Sequence, residues 1–211
     1  MHMKAPGDAL FPPATRRAVL AWSLSGAGAL MAPAAARAAA VSLEGARFED
    51  RVHLFGSDLV LNGAGLRAVA WFKAFAAALY LSRPVSTGEA VVGLPGPKRL
   101  RLHMLWEVPA KEFTKALEGG ISKNTTPAEW QRLQDRMQQF ERLIEGVARV
   151  RRGDVVDLDF DPSRGMAFSL NGKLQGSAIA GADFYAALLR SFVGDVPFDR
   201  TLRAGLLGAP T

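Results

Sequence analysis

The feature that most limits how this chain can fold is a change of period. Between residues 98 and 106, Leu100, Leu102, Met104 and Trp106 point one way and Arg99, Arg101, His103 and Leu105 the other. That is the period-two pattern of a half-buried strand. After Pro109 the spacing becomes helical. Phe113, Ala116 and Leu117 share a face, and Gly119-Gly120 ends the run. Thr126-Pro127-Ala128-Glu129 is a capping box with proline at the first helical position. It opens a helix over 126–149, of about six turns. Trp130, Leu133, Met137, Phe140, Ile144 and Val147 form its single apolar stripe. That stripe either packs on the chain's own sheet or serves as a lid or partner surface.

Period two then returns. Val156, Leu158 and Phe160 alternate with aspartates, Met166, Phe168 and Leu170 follow, and Asn171-Gly172 makes a tight hairpin turn before Leu174. Asp183 is placed to cap a helix through Phe184, Ala187, Leu188 and Phe192, which Gly194 stops. A last short helix carries Leu202 and Leu206 and ends at Gly208. Upstream, residues 48–61 read as short strands, with Gly63-Ala64-Gly65 turning the chain. The order is strands, helices, strands, helices, without internal repeat or low-complexity linker in 41–211. This predicts an α+β fold, an antiparallel sheet covered by helices on one face.

Residues 1–40 read as a signal peptide. Arg16-Arg17 precede an apolar run from Ala18 to Met31, and Ala36-Arg37-Ala38 or Ala38-Ala39-Ala40 offers a small-x-small cleavage site. Thr15-Arg16-Arg17-x-Val19-Leu20 resembles the twin-arginine export signature. The apolar run is short for a span and is interrupted by Gly, Ser and Pro. The expectation is a periplasmic domain over 41–211, with no stable membrane span after cleavage.

Charge divides along the same boundary. The formal net charge is +6, but Lys4, Arg16, Arg17 and Arg37 against Asp8 put +3 of it in the leader. The short basic runs 98-KRLR-101 and 149-RVRR-152 read as a solvated strand face and a helix end. No nucleic-acid partner is expected. The chain has no cysteine, which removes disulfides, thiolate nucleophiles and Cys-based metal sites. His53 and His103 have no ligand spacing, so no metal is expected. No G-x-S-x-G elbow is present.

The stretch 60-VLNGAGLRAVAWFKAFAAALYLS-82 places Arg67 and Lys73 in the most apolar part of the domain. A charge there must reach solvent, find a partner or hold an anionic ligand. On alanine content alone, 69–81 passes for a helix.

The same stretch resembles the chalcone isomerase superfamily in its G-A-G-x-R, its F-K and its A-x-x-L-Y-L. The tail is similar too: Asn171-Gly172-Lys173 leads to 176-GSAIAGADFYAALLRSFVGDVPFD-199, which looks like the family's turn, cleft helix and closing loop. The likeness spans roughly 45–208 and is nearest to the exported bacterial branch. It implies an open-faced β-sandwich, in which a large antiparallel sheet is covered by a layer of helices and 69–81 is a strand. No cofactor is implied. The family's catalytic arginine falls at Arg67. Its strand threonine falls at Phe75, its helix tyrosine at Phe113, its asparagine at Gly120 and its late-helix Thr or Ser at Tyr185.

Only the arginine is retained, and Phe75 and Phe113 have no hydroxyl to hold water or donate to a substrate carbonyl. Non-catalytic family members bind fatty acids with this arginine on the carboxylate, usually beside a tyrosine. Here Tyr80 or Tyr185 would take that part, and Lys73 is a second candidate cation. Three readings are open. The first is a binding module for a small apolar carboxylate such as a fatty acid. The second is an isomerase of the intramolecular lyase type acting on a phenolic substrate, with Tyr80, Tyr185 or His103 handling the proton. The third is a structural protein with a vestigial cleft, Arg67 pairing with a carboxylate such as Asp183.

The leader yields a direct test. Changing Arg16 and Arg17 together to lysine is expected to hold the precursor in the cytoplasm, as read by cell fractionation. Normal export of the double variant would remove the twin-arginine assignment.

Overall fold

The structure, a computed structural model, describes residues 40–69 and 72–209. The expected leader lies outside them. The chain enters as a hairpin of β1 (Val41–Leu43) and β2 (Ala46–Phe48). It continues through β3 (Arg51–Leu54), β4 (Ser57–Val69), β5 (Phe72–Leu81), α1 (Gly88–Gly93) and β6 (Lys98–Met104). Next come β7 (Val108–Pro109), α2 (Ala110–Lys123), α3 (Pro127–Glu145) and β8 (Arg149–Val150). It closes with β9 (Val155–Asp161), β10 (Gly165–Leu170), β11 (Lys173–Leu174), α4 (Ala182–Val193) and α5 (Arg200–Leu206). Seven strands form one antiparallel sheet in the order β11-β10-β9-β6-β5-β4-β3. Among the described residues, no helix is long and apolar enough to cross a membrane.

The two faces of the sheet are treated differently. Leu79, Leu100, Leu102, Leu158 and Phe168 meet the buried sides of α2, α3 and α4 in the main core. Behind the sheet, the β1–β2 hairpin lays Ala46 and Phe48 against Leu59, Ala76, Ala78 and Tyr80 in a second, smaller cluster. β5 is therefore buried on both faces, Leu79 and Leu81 forward and Ala78 and Tyr80 behind. A doubly buried strand reads as one continuous apolar run, which is why its alanines mimic a helix.

The capping box at Thr126 forms as the sequence indicates. Its hydroxyl accepts from the Glu129 amide, and the Glu129 carboxylate accepts from the Thr126 amide. Leu133, Met137, Phe140 and Ile144 bury against the core. The helix stops at Glu145 and Arg149 begins a short strand, so it is shorter than expected and 149–152 is not a helix end. Asn171 and Gly172 both have positive φ, 51° and 76°, as the tight hairpin turn requires.

Several local expectations change. Gly63-Ala64-Gly65 is not a turn but lies within β4. A Cβ on Gly63 would sit 2.2 Å from the Gly205 carbonyl oxygen, and one on Gly65 would sit 2.7 Å from that of Leu202. The glycines are there because α5 packs backbone to backbone on the strand. Gly119-Gly120 does not end a helix; α2 runs on to Lys123. β6 stops at Met104, and Trp106 is half exposed. Asp183 is not the cap of α4. Gly181 occupies that position, and the Asp183 carboxylate is paired with the Arg136 guanidinium.

The run 98-KRLR-101 is not a solvated face. Arg99 faces its register partner Asp159 through two hydrogen bonds of 2.7 and 2.6 Å, and Arg101 faces Asp157 through two of 2.7 and 2.8 Å. Both aspartates are buried. The aspartates that alternate along β9 therefore answer the arginines of β6, strand to strand. Tyr80, in register with Arg99, is fully buried beside them. Its hydroxyl has no partner among the described residues, and burial pushes its pKa up to about 12.

The close approach of α5 is testable. Gly63→Ala should cost roughly 1–3 kcal/mol or more, the range for inserting a methyl into a filled space. Gly119→Ala, with nothing within 4 Å of the added methyl, should gain roughly 0.5–1 kcal/mol as an ordinary helix position. Denaturant unfolding of both variants checks this, and equal effects would remove the packing argument.

Candidate functional site

Residues 63, 65 and 67 of β4 share the face that meets the helices. The glycines admit α5, and the next residue on that face, Arg67, reaches past its end. Arg67 is opposite Phe75 in the β4–β5 register. Its Nη1 donates to the Phe198 carbonyl oxygen at 2.7 Å, and its guanidinium carbon lies 5.2 Å from the centre of the Phe198 ring. Burial lowers its pKa, and the nearby Asp199 charge opposes that shift. Asp199 is already engaged as the cap of α5, accepting from the amides of Thr201 and Leu202 at 2.7 and 2.9 Å. Arg67 thus has one neutral acceptor and no carboxylate in contact among the described residues.

Two spaces meet at this guanidinium. Inward is a small apolar pocket of about 30 Å³, walled by Phe75, Leu102, Phe113, Leu117, Phe192 and Phe198. That is room for about one water molecule. Outward is an open groove of about 430 Å³, where Arg67 is joined by Lys115, Lys123 and Glu112 of α2. Phe198 divides the two. Its ring packs edge-on against Phe192, with centroids 5.0 Å apart, and rests on Gly120. A Cβ at Gly120 would lie 2.3 Å from the Phe198 ring. Glycine here leaves the space that the phenylalanine fills.

The segment that carries Phe198 is held by Asn124, Ser191 and Arg67, among others. Asn124 donates from Nδ2 to the Val196 carbonyl at 2.7 Å. The Phe198 amide donates to the Ser191 carbonyl at 2.7 Å, and Arg67 holds the Phe198 carbonyl. Val196 at the tip is exposed.

Of the residues that the sequence points to, the structure brings Arg67, Phe75 and Phe113 around one pocket, with Gly120 at its edge. It does not bring the others there. Lys73 pairs with Glu44 at 2.7 Å, both half exposed. Tyr80 faces the hairpin behind the sheet. Tyr185 is six residues from the helix position beside Gly120. It stacks on Phe160, and its hydroxyl donates to the Leu158 carbonyl at 3.0 Å. The hydroxyl residue of α4 next to Gly120 is Ser191, turned to the Ala187 carbonyl. The expected pairing of Arg67 with Asp183 does not form, because Arg136 holds that carboxylate.

Phe192 and Phe198 belong to the site, although sequence reasoning does not assign them to it. Their signals in the sequence are the helical spacing that places Phe192 on the apolar face of α4 and, for Phe198, the run 197-PFD-199, a proline before an aromatic and a helix-capping aspartate. Chemically, the arrangement offers one cation among hydrocarbon walls. Among the described residues lining the pocket there is no hydroxyl, imidazole or carboxylate to move a proton.

The comparisons agree with this architecture. The model of the family described as chalcone isomerase-like matches residues 40–208. No curated protein matches the sequence. The fold is similar to that of 38 solved chains. One is the crystal structure of a fatty-acid binding protein of Arabidopsis thaliana, with a TM-score of 0.61 and 16% identity over 80% of this chain and 96% of that one. With the helix-covered antiparallel sheet, the arginine after the β4 glycines and a family match that spans the described residues from the first to the last but one, the chain belongs to the chalcone isomerase-like family.

Proposed function

We propose that this chain is a periplasmic protein that binds a fatty acid or similar apolar carboxylate, without chalcone isomerase activity. The observation that carries the reading is Arg67: a half-buried guanidinium at the mouth of an apolar pocket, held by a single neutral carbonyl. A planar fork of this kind suits both oxygens of a carboxylate and stays charged. The leader supports the location, and the Arabidopsis thaliana neighbour's fatty-acid binding supports the ligand class.

Binding requires the pocket to open. A space of about 30 Å³ is far below the roughly 300–1,000 Å³ of ordinary ligand pockets. The ligand carboxylate would take the Phe198 carbonyl's place on Arg67, Phe198 would swing off Gly120, and the tail would run along Phe75, Phe113 and Leu117. Each buried methylene would contribute about 0.8 kcal/mol.

The small volume of the pocket also favours a second reading, in which the cleft is vestigial and Arg67 only latches the 194–199 segment. Titrating palmitate and hexadecanol against the wild type and Arg67→Ala separates the two. Loss of the charge contact should weaken palmitate by about 2–4 kcal/mol, roughly 30- to 1,000-fold, and leave the alcohol nearly unchanged. Equal losses for both ligands, or no binding by the wild type, would favour the vestigial cleft.

The catalytic expectation is negative. The purified protein should not speed the cyclisation of naringenin chalcone above an Arg67→Ala control. One hydrogen-bond donor lost from such a site typically costs on the order of 10²-fold or more, and the donors are absent at both Phe75 and Phe113. A large acceleration that disappears in Arg67→Ala would overturn this.

A further inference from the structure

A second cation is buried away from Arg67. Lys98 opens β6 on the helix-facing side and is only 4% exposed. Its ammonium donates to the Leu94 carbonyl and lies 5.2 Å from the centre of the Phe160 ring. No carboxylate is within salt-bridge distance among the described residues, and two of its three N–H groups have no protein acceptor there. Its neighbours in sequence, Arg99 and Arg101, each hold a buried aspartate. Lys98 is thus the one member of that run whose burial is uncompensated, an arrangement that costs stability unless an anion completes it. Burial alone lowers its pKa.

Lys98 lies in a groove of about 440 Å³ between the α1–β6 loop, β9 and α4. The groove's walls are mainly apolar: Leu94 and Pro95 on one side, Leu189 on another, and the Phe160–Tyr185 stack, whose centroids are 5.0 Å apart and interplanar angle 16°. Asp183 reaches the rim, but its charge is held by Arg136. The volume falls in the usual range for a small ligand. None of these residues lines the pocket or the groove at Arg67.

We infer that this groove is a second ligand site, taking a small apolar carboxylate whose anionic end meets the Lys98 ammonium and whose body lies against Phe160 and Leu189. It does not depend on the reading of the Arg67 cleft. The uncompensated ammonium calls for an anion, the hydrocarbon walls for an apolar body, and the volume for a molecule the size of an aryl or short-chain acid.

The test uses cinnamate, with cinnamyl alcohol as its neutral counterpart. Methyl-resolved NMR of the whole protein should show saturable shifts at Leu94 and Leu189 with cinnamate and much weaker ones with the alcohol. This measurement needs no variant. Lys98→Met should keep the fold, with a thermal midpoint unchanged or raised because a buried charge is gone, and should weaken cinnamate at least ten-fold. Arg67→Ala should leave those shifts and that affinity intact. The assignment is overturned if the wild type shows no saturable shift at Leu94 and Leu189, or if the shifts fall at Leu102 and Leu117 instead. It is equally overturned if acid and alcohol bind alike, or if Lys98→Met lowers the midpoint while binding cinnamate as before.

Discussion

The contact between α5 and β4 sets the geometry of the cleft. Gly63 and Gly65 let the helix backbone rest on the strand. The bulge between Leu61 and Gly63 leaves Asn62 to tie the two together. Its amide donates to the Leu206 carbonyl at 2.7 Å, and its oxygen accepts from the Val85 amide at 2.7 Å. Fixing α5 fixes its cap, Asp199, and therefore Phe198 one residue before it. Arg67 is two residues beyond Gly65 on the same face of the strand. One backbone contact thus positions both the cation and the carbonyl that holds it, and the cleft inherits its narrow form from a packing constraint nearby.

Arg67, Lys98, Arg99 and Arg101 are each largely or partly buried, and their surroundings divide them. Arg99 and Arg101 meet Asp159 and Asp157 across a strand pair, two planar forks on two carboxylates. Such pairs are self-contained; their mutual attraction offsets the cost of leaving water, and no ligand is needed. Burial still raises the pKa of Asp159, with the Arg99 hydrogen bond opposing it. Arg67 and Lys98 have only a carbonyl oxygen and an aromatic face. A neutral acceptor satisfies one N–H but leaves the charge unbalanced. On the proposed readings, the distinction between structural and ligand-facing cations rests on that difference in partner.

Much of the fold could be read from the sequence because two of its signals are strong. Period two in 98–104 and 156–170 and the capping box at Thr126 reflect local physics, and the elements formed there. Three of the failures share a cause, a partner distant in the chain. Gly63 and Gly65 look like a turn until α5 is placed against them. Gly119-Gly120 looks like a helix end until Phe198 occupies the space. The arginines at 99 and 101 look solvated until β9 brings its aspartates opposite. The site was legible only in part for the same reason. Arg67, Phe75 and Phe113 came from a family register over adjacent strands and one helix. Ser191, Phe192 and Phe198 come from the far end of the chain, and the family register on α4 points to Tyr185, six residues from the position beside Gly120.

On the proposed reading, the narrow cleft also bears on which carboxylates it would accept. One N–H of Arg67 already donates to the Phe198 carbonyl, so a ligand that takes its place gains only the difference between a charge-assisted, two-point contact and a hydrogen bond to a neutral oxygen. Against that stands the cost of releasing the 194–199 segment from its contacts with Asn124 and Ser191 and of lifting Phe198 from its packing on Phe192. Apparent affinity falls in proportion to the fraction of open molecules. A short acid brings a carboxylate and little else, and the head-group exchange alone would not hold the segment open. A long tail adds about 0.8 kcal/mol for each methylene it buries, and a dozen or so would supply on the order of 10 kcal/mol at most. Selection by chain length would then arise from the latch rather than from the depth of a preformed cavity, with Arg67 deciding the head group and Phe198 setting the minimum tail.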